Sequence, residues 1–282
     1  MNHDNLMHSQ GAFSQYTLKG VDGAVAKLYP YGAHVTNWIT SDGVERLFLS
    51  SCSELRSGTA IRGGVPIIFP QFADLGPLPK HGLARTACWQ CLTPRHDPSD
   101  SILFRWVNDQ DSQRVWPYSF SAQYLVTLEP ESLSLSLSVE NTDEQAFSFT
   151  AALHTYLRVN DIASVSIKGL EGLRYRDSAN GGSEHVEPNS VLRVSGELDR
   201  IYFGSKNPID VEQENQRTLR CLAQGFSDTV VWNPGALKSS ALADMEVDGF
   251  KRMICIEAAV IDRPVVLRPR SQWTGTQLLK LV

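Results

Sequence analysis

The most regular pattern in the chain runs through "ESLSLSLSVENTDEQAFSFTAALHTYLRV", where Leu133, Leu135, Leu137 and Val139 alternate with Ser134, Ser136, Ser138 and Glu140. A period of two puts the apolar side chains on one face of a strand and the polar ones on the other. "NTDEQ" supplies a turn. Beyond it Phe147, Phe149, Ala151 and Leu153 take one face, while Ser148, Thr150, Ala152, His154, Tyr156 and Arg158 take the other. Two antiparallel strands joined by that turn are predicted. Further strands are predicted at "GAVAKLYPYG", "HVTNWIT", "RLFLS", "SILFRWV", "FSAQYLVTLE", "SVSIKGL", "RTLRCLA", "DTVVWNP", "RMICIEAAVI" and "VVLRP". The best helical signal is "SSALADM", where Ser239 or Ser240 would cap a brief turn. There is no long amphipathic helix, internal repeat or linker. The expectation is all-β: one domain over residues 1–282, a large antiparallel sandwich of two sheets with few short helices.

One segment departs from the strand pattern. In "IRGGVPIIFPQFADLGPLPKHGLAR", Ile61 to Arg85, glycines and prolines crowd around two arginines and a histidine. Gly63–Gly64 permits backbone conformations closed to other residues, and the prolines restrict the rest. A rigid, irregular wall carrying Arg62, His81 and Arg85, with Lys80 adjacent, would suit a phosphate or carboxylate bound through paired N–H donors. A surface loop with solvated charges has the same composition. No Walker sequence or helix-opening Gly-rich fingerprint accompanies it.

Composition narrows the partners. The 282 residues carry a net charge of −5, with 42% hydrophobic and 20% charged residues, which is globular and gives no broad nucleic-acid footprint. The opening "MNHDNLMHSQGAFSQ" lacks the apolar stretch of a secretory signal, and no apolar run reaches the roughly 20 residues that span a bilayer. A soluble cytoplasmic protein with no membrane or nucleic-acid partner is expected. Cys52, Cys88, Cys91, Cys221 and Cys255 are scattered and odd in number, so reduced thiols are expected. "CWQC" reads as strand, on which positions three apart face opposite ways, so its thiols should diverge.

Two residues stand out on predicted strands. Glu257 in "MICIEAAVI" has apolar neighbours on both faces, so its carboxylate is at least partly desolvated and needs a partner or a job. Arg252 or Arg263 could supply a purely structural pairing. His154 projects from the polar face of its strand, where a histidine can be a proton donor or a simple surface residue. Taken singly, these residues leave both readings open.

The ordered motifs "IRGGVPIIFPQF", "GPLPKHGLAR", "WPYSF", "LHTYLRV", "ELDRIY", "DTVVWNP" and "MICIEAA" resemble those of the hexose-6-phosphate mutarotases, or glucose-6-phosphate 1-epimerases, of the aldose 1-epimerase superfamily. The resemblance implies the galactose-mutarotase-like supersandwich, with a sugar site on a concave face, and an isomerase, expected as a monomer, that acts on a small-molecule hexose 6-phosphate and needs no cofactor or metal. It implies that His154 and Glu257 are catalytic, that His81 and Asp199 bind substrate, and that Arg62 and Arg85 bind phosphate. In the implied chemistry Glu257 acts as carboxylate and His154 as imidazolium, the first kept ionised by the positive field and the second by nearby carboxylates. Lys80 replaces an expected glutamine, Gly235 stands where an aromatic is usual after "WNP", and "EAAVI" lacks a proline. These departures bear on substrate preference. Competing readings are a mutarotase for unphosphorylated aldoses, a carbohydrate-binding module without turnover, and a glycosidase using Asp199 and Glu257.

Overall fold

The computed structural model describes residues 13–93 and 100–282. All of the opening polar stretch except Phe13 to Gln15 lies outside them. Among the described residues the chain forms three sheets, of three, eight and nine strands, every pairing between strands antiparallel. Two short α-helices, Gln110–Val115 and Gly235–Ser240, accompany them. No helix there is long and apolar enough to cross a membrane.

The serine-leucine repeat is the strand Ser132–Asn141, paired on one side with Phe120–Glu129 and on the other with Gln272–Leu281 in the nine-stranded sheet. Its predicted partner is corrected. Phe147–Leu153 does not fold back on it as a hairpin but crosses to the eight-stranded sheet, between Met253–Leu267 and Ile67–Ile68. The turn is a sandwich corner, pinned by Asn141, whose side-chain amide donates to the carbonyls of Gln145 and Leu267. Both strands still present the predicted apolar faces to one core: Leu133, Leu135, Leu137 and Val139 pack with Phe147, Phe149, Ala151 and Leu153. Burying such faces contributes roughly 1.5–3 kcal/mol per large side chain.

The opposite face of the eight-stranded sheet is buried too. Ala152, Tyr156, Ile201, Val230, Trp232 and Cys255 form a second cluster with Ile68 of the strand Ile67–Ile68 and with Phe48 and Phe72 from the covering loops. That double burial explains why the strand around Glu257 is apolar on both sides.

Three local expectations change. "RMICIEAAVI" and "VVLRP" are one strand, Met253–Leu267, whose register shifts between Val260 and Val265. Pro264 lies in the shift, and buried Asp228 accepts the N–H groups of Ile261 and Asp262 at 2.7 and 3.0 Å, satisfying donors the bulge removes from the ladder. "RLFLS" makes only isolated bridges, because the Glu45 carboxylate takes the Trp38 and Leu47 N–H groups. The turn expected at "SSALADM" lies earlier: the helix ends at Ser240, and Asn233 Oδ1 accepts the Gly235 N–H in place of a serine cap.

Candidate active site

The Ile61–Arg85 segment is held against the sheet by its glycines. Gly63 has φ 116° and Gly64 φ 60°, and an added Cβ would lie 2.4 Å from the Phe48 carbonyl oxygen or 2.1 Å from that of Val35. Only glycine permits that approach. Farther along, Ala73 and His81 both sit in the left-handed region, at φ 47° and 65°. The His81 N–H donates to the Ala73 carbonyl, and the Ala73 N–H donates to His81 Nδ1 at 3.3 Å. Because Nδ1 accepts, the neutral ring carries its proton on Nε2. Gln71 braces the same loop, exchanging hydrogen bonds with the backbone of Leu78. The segment is thus irregular, as its glycines and prolines predict, and is braced by these hydrogen bonds.

Under that wall lies a cavity of about 530 Å³, which Arg62, His81, Arg85, His154, Asp199 and Glu257 all line. All six candidate residues therefore converge. Lys80, Arg176, Lys238, Phe72 and Trp232 line it as well. Glu257 projects from the first half of the Met253–Leu267 strand, and His154 stands just past the end of Phe147–Leu153. His154 Nε2 is 3.3 Å from Glu257 Oε1. Arg252 and Arg263 do not pair with Glu257; Arg252 is tied to Glu246. The histidine is no surface residue either: it is 8% exposed, stacked on Tyr156 and edge-on to Trp232 and His81. Glu257 Oε2 and His154 Nδ1 are buried without a hydrogen-bond partner.

The expected charge states are corrected. Burial pushes Glu257 well above the usual carboxylate range, and Asp199 adds to the rise. Burial likewise pulls His154 well below the usual imidazole range, helped by the neighbouring His81, Arg62 and Arg85. Burial and the neighbouring charges act in the same direction, so carboxylic acid with neutral imidazole is favoured over carboxylate with imidazolium in the ligand-free pair. Both forms of the pair hold one proton; only its position differs. His81 is lowered to about 3, by burial first and then by Arg85, Lys80 and Arg62, so it remains a neutral donor. Burial raises Asp199 against the opposing pull of Lys238, which lies 3.8 Å away.

Four groups around the site escaped the sequence reading. Arg62 Nη1 donates to the Tyr156 hydroxyl at 2.9 Å, and Nη2 pairs with Asp244 at 3.1 Å. Tyr156 could have been found, since it follows His154 on the same face. Asp244, within the segment read as helix, carries no local signal. The other two, Thr155 and Gln277, are buried beneath the pair. Thr155 Oγ1 donates to Gln277 Oε1 at 2.5 Å, and Gln277 Nε2 donates to the Ile256 carbonyl at 2.9 Å. Gln277 belongs to the nine-stranded sheet, so this clamp reaches across the sandwich to the backbones flanking His154 and Glu257. The departure at Gly235 also gains a cause: at φ 62°, a Cβ there would meet the Glu197 nitrogen at 2.6 Å.

Among the described residues, one group has donor atoms close enough to share a metal ion: His154, Cys255 and Glu257, all buried. The "CWQC" pair is not such a group. Cys88 is exposed, Cys91 donates to the Thr93 carbonyl, and both thiols are free.

Comparison with known proteins places this cavity in context. Residues 14–280 match the Aldose 1-epimerase family. A protein of Cenchrus ciliaris, named provisionally a glucose-6-phosphate 1-epimerase, is 33% identical over 98% of this chain and 87% of its own. The crystal structure of a Salmonella typhimurium protein, titled provisionally a mutarotase, superposes with a TM-score of 0.87 at 26% identity, covering 95% of this chain and 90% of that one. A galactose mutarotase related enzyme from Lactobacillus acidophilus shares the fold, with a TM-score of 0.77 at 16% identity over 95% of this chain and 97% of its own.

Proposed function

The chain belongs to the aldose 1-epimerase family, and on that premise we propose that it is a cytoplasmic glucose-6-phosphate 1-epimerase, interconverting the α and β anomers of a hexose 6-phosphate. The observation that carries the reading is the His154–Glu257 pair on the floor of a cavity whose wall carries two arginines.

Glu257 takes the proton of the C1 hydroxyl while His154 gives one to the ring oxygen. The C1–O5 bond breaks and C1 becomes an aldehyde carbon. Rotation about C1–C2 presents its other face, and closure runs the transfers backwards. Opening converts carboxylate and imidazolium into carboxylic acid and imidazole, the form the dehydrated pocket favours. The pair therefore stabilises the open-chain stage, and substrate must draw the proton to His154 before opening. The phosphate supplies that shift: a dianion on Arg62 and Arg85 cancels two of the charges that depress His154. In this scheme phosphate recognition and proton transfer are linked through the field of the arginines. His81 Nε2–H and Asp199 serve the sugar hydroxyls. General acid and general base catalysis each contribute about 10²–10⁴-fold.

The test is exchange spectroscopy of the anomeric protons of glucose 6-phosphate and of glucose. Fast exchange is expected on the phosphate, lost in Glu257→Gln. Comparable exchange on glucose would refute the phosphate assignment, and none on either sugar would refute the enzyme.

A further inference from the structure

Cys255 is absent from the chemistry above, yet it lies beside the pair. It precedes Glu257 by two residues on one strand, so both side chains point to the same face, and its backbone register pairs it with Tyr156 and Trp232. It is fully buried, and its Sγ lies with a His154 ring nitrogen and a Glu257 oxygen within 4.8 Å of one another. We propose that His154, Cys255 and Glu257 form an inhibitory site for a borderline-soft divalent cation of the Zn²⁺ type, which enters from the sugar cavity and captures the proton-transfer pair.

The geometry suits such an ion. Zn–N and Zn–O bonds of about 2.0–2.2 Å put neighbouring ligand atoms of a tetrahedron about 3.3–3.5 Å apart. The 3.3 Å between His154 Nε2 and Glu257 Oε1 matches that edge, and is long for a hydrogen bond. Imidazole, thiolate and carboxylate are each Zn²⁺ ligands, and three protein ligands leave a fourth position for water. The cavity that Glu257 lines supplies room for it, and Glu257 Oε2 is buried without a partner. The charge balance is also favourable. As the dication enters, the thiol proton and the one proton of the pair leave; thiolate, carboxylate and Zn²⁺ then sum to zero, so no net charge is buried.

Binding does not depend on the proposed reaction, whereas inhibition rests on the acid–base roles given to His154 and Glu257. The experiment separates them. In protein with Cys52, Cys88 and Cys91 replaced by serine, Cd²⁺ should generate a thiolate-to-metal charge-transfer band in the ultraviolet that saturates at one equivalent and is displaced by Zn²⁺. Zn²⁺ should abolish anomer exchange over the same concentrations. Cys255→Ser should retain exchange and lose both the band and the inhibition. No saturable band, or equal Zn²⁺ inhibition of Cys255→Ser, overturns the proposal. Should Cys255→Ser fail to fold, Glu257→Gln replaces it: a band weakened by an order of magnitude or more supports the site, and an unchanged one overturns it. If the metal-free protein exchanges neither sugar, the epimerase reading fails while the band still decides the metal site.

Discussion

Replacing Arg62 with alanine tests the link between the loop and the substrate. The guanidinium is held by Tyr156 and Asp244, and its Nε is buried without a partner. Losing a charge-assisted hydrogen bond to the phosphate costs about 1.5–3 kcal/mol, which is roughly 10- to 150-fold in KM. A second cost arises because Asp244 loses its counter-ion. A carboxylate about 6 Å from a phosphate dianion, half-exposed so that the effective dielectric constant is about 40–80, adds repulsion of about 1–3 kcal/mol. Arg62→Ala should therefore raise KM for glucose 6-phosphate at least tenfold, and Arg62→Ala/Asp244→Asn should recover roughly tenfold of the loss. With glucose, kcat should not fall, because removing Arg62 also removes one of the charges that depress His154. Anomer exchange across a range of each sugar gives KM and kcat separately. Equal losses on both sugars, or a double variant no better than the single, would refute the assignment of Arg62 to the phosphate.

Glu257→Gln and His154→Ala should each lower kcat by about 10²–10⁴-fold, and the double variant should be little worse than either, since the two move protons as a unit; additive losses measured by exchange spectroscopy would show that they act independently. Inorganic phosphite should accelerate exchange of unphosphorylated glucose by wild type but not by Arg62→Ala/Arg85→Ala, and absence of activation in wild type would leave phosphate as an anchor only. Gln277→Leu should lower kcat while leaving KM for glucose 6-phosphate nearly unchanged, because it frees the backbones under the pair without touching the wall; the reverse split would count against a positioning role. Stability should fall as the solution is acidified from pH 6.5. His34 and His81 are lowered by burial to about 4 and about 3, so the unfolded chain takes up protons that the folded chain refuses. Stabilisation from these groups is complete above pH 6.5 and is lost towards their folded values, at about 1.4 kcal/mol per pH unit each. Urea midpoints that stay flat from pH 7 to pH 5 would refute this.

Alternation was legible wherever one face of a strand met the core, so Phe120–Glu129 and Ser101–Val107 fall where the pattern puts them. It could not tell a hairpin from a sandwich corner, because Leu133 and Phe149 need the same core whether their strands pair edge to edge or face each other across it. All six candidate residues meet in one cavity, since their motifs sit on strands of one sheet and on one braced loop. The Asp244 partner of Arg62 and the Gln277 clamp were hidden because each joins segments distant in sequence, through contacts that leave no periodic trace. The proton's location was misjudged for a different reason. Weighing only nearby charges left out dehydration, which was legible at Glu257 and is the largest effect at both Glu257 and His154.

The sandwich also explains how so dry a pair can be held in register. His154 follows the last residue of the Phe147–Leu153 ladder; its N–H donates to the Pro66 carbonyl in the register of the Ile67–Ile68 pairing, whereas the Thr155 N–H turns back to the Leu153 carbonyl. A break in a ladder ordinarily loosens the backbone, yet the next residue, Thr155, accepts the Ile256 N–H and binds Gln277, whose amide returns to the Ile256 carbonyl. The residue after His154 and the residue before Glu257 are thereby fastened to one side chain of the opposing sheet, within the core, where each unmade hydrogen bond would cost about 1–3 kcal/mol. Departure of either backbone would leave Thr155 or Gln277 unsatisfied. The irregularity beside His154 is therefore secured from the face of the sheet opposite the cavity, and under the proposed function the cavity wall is free to carry the charges that would select the substrate.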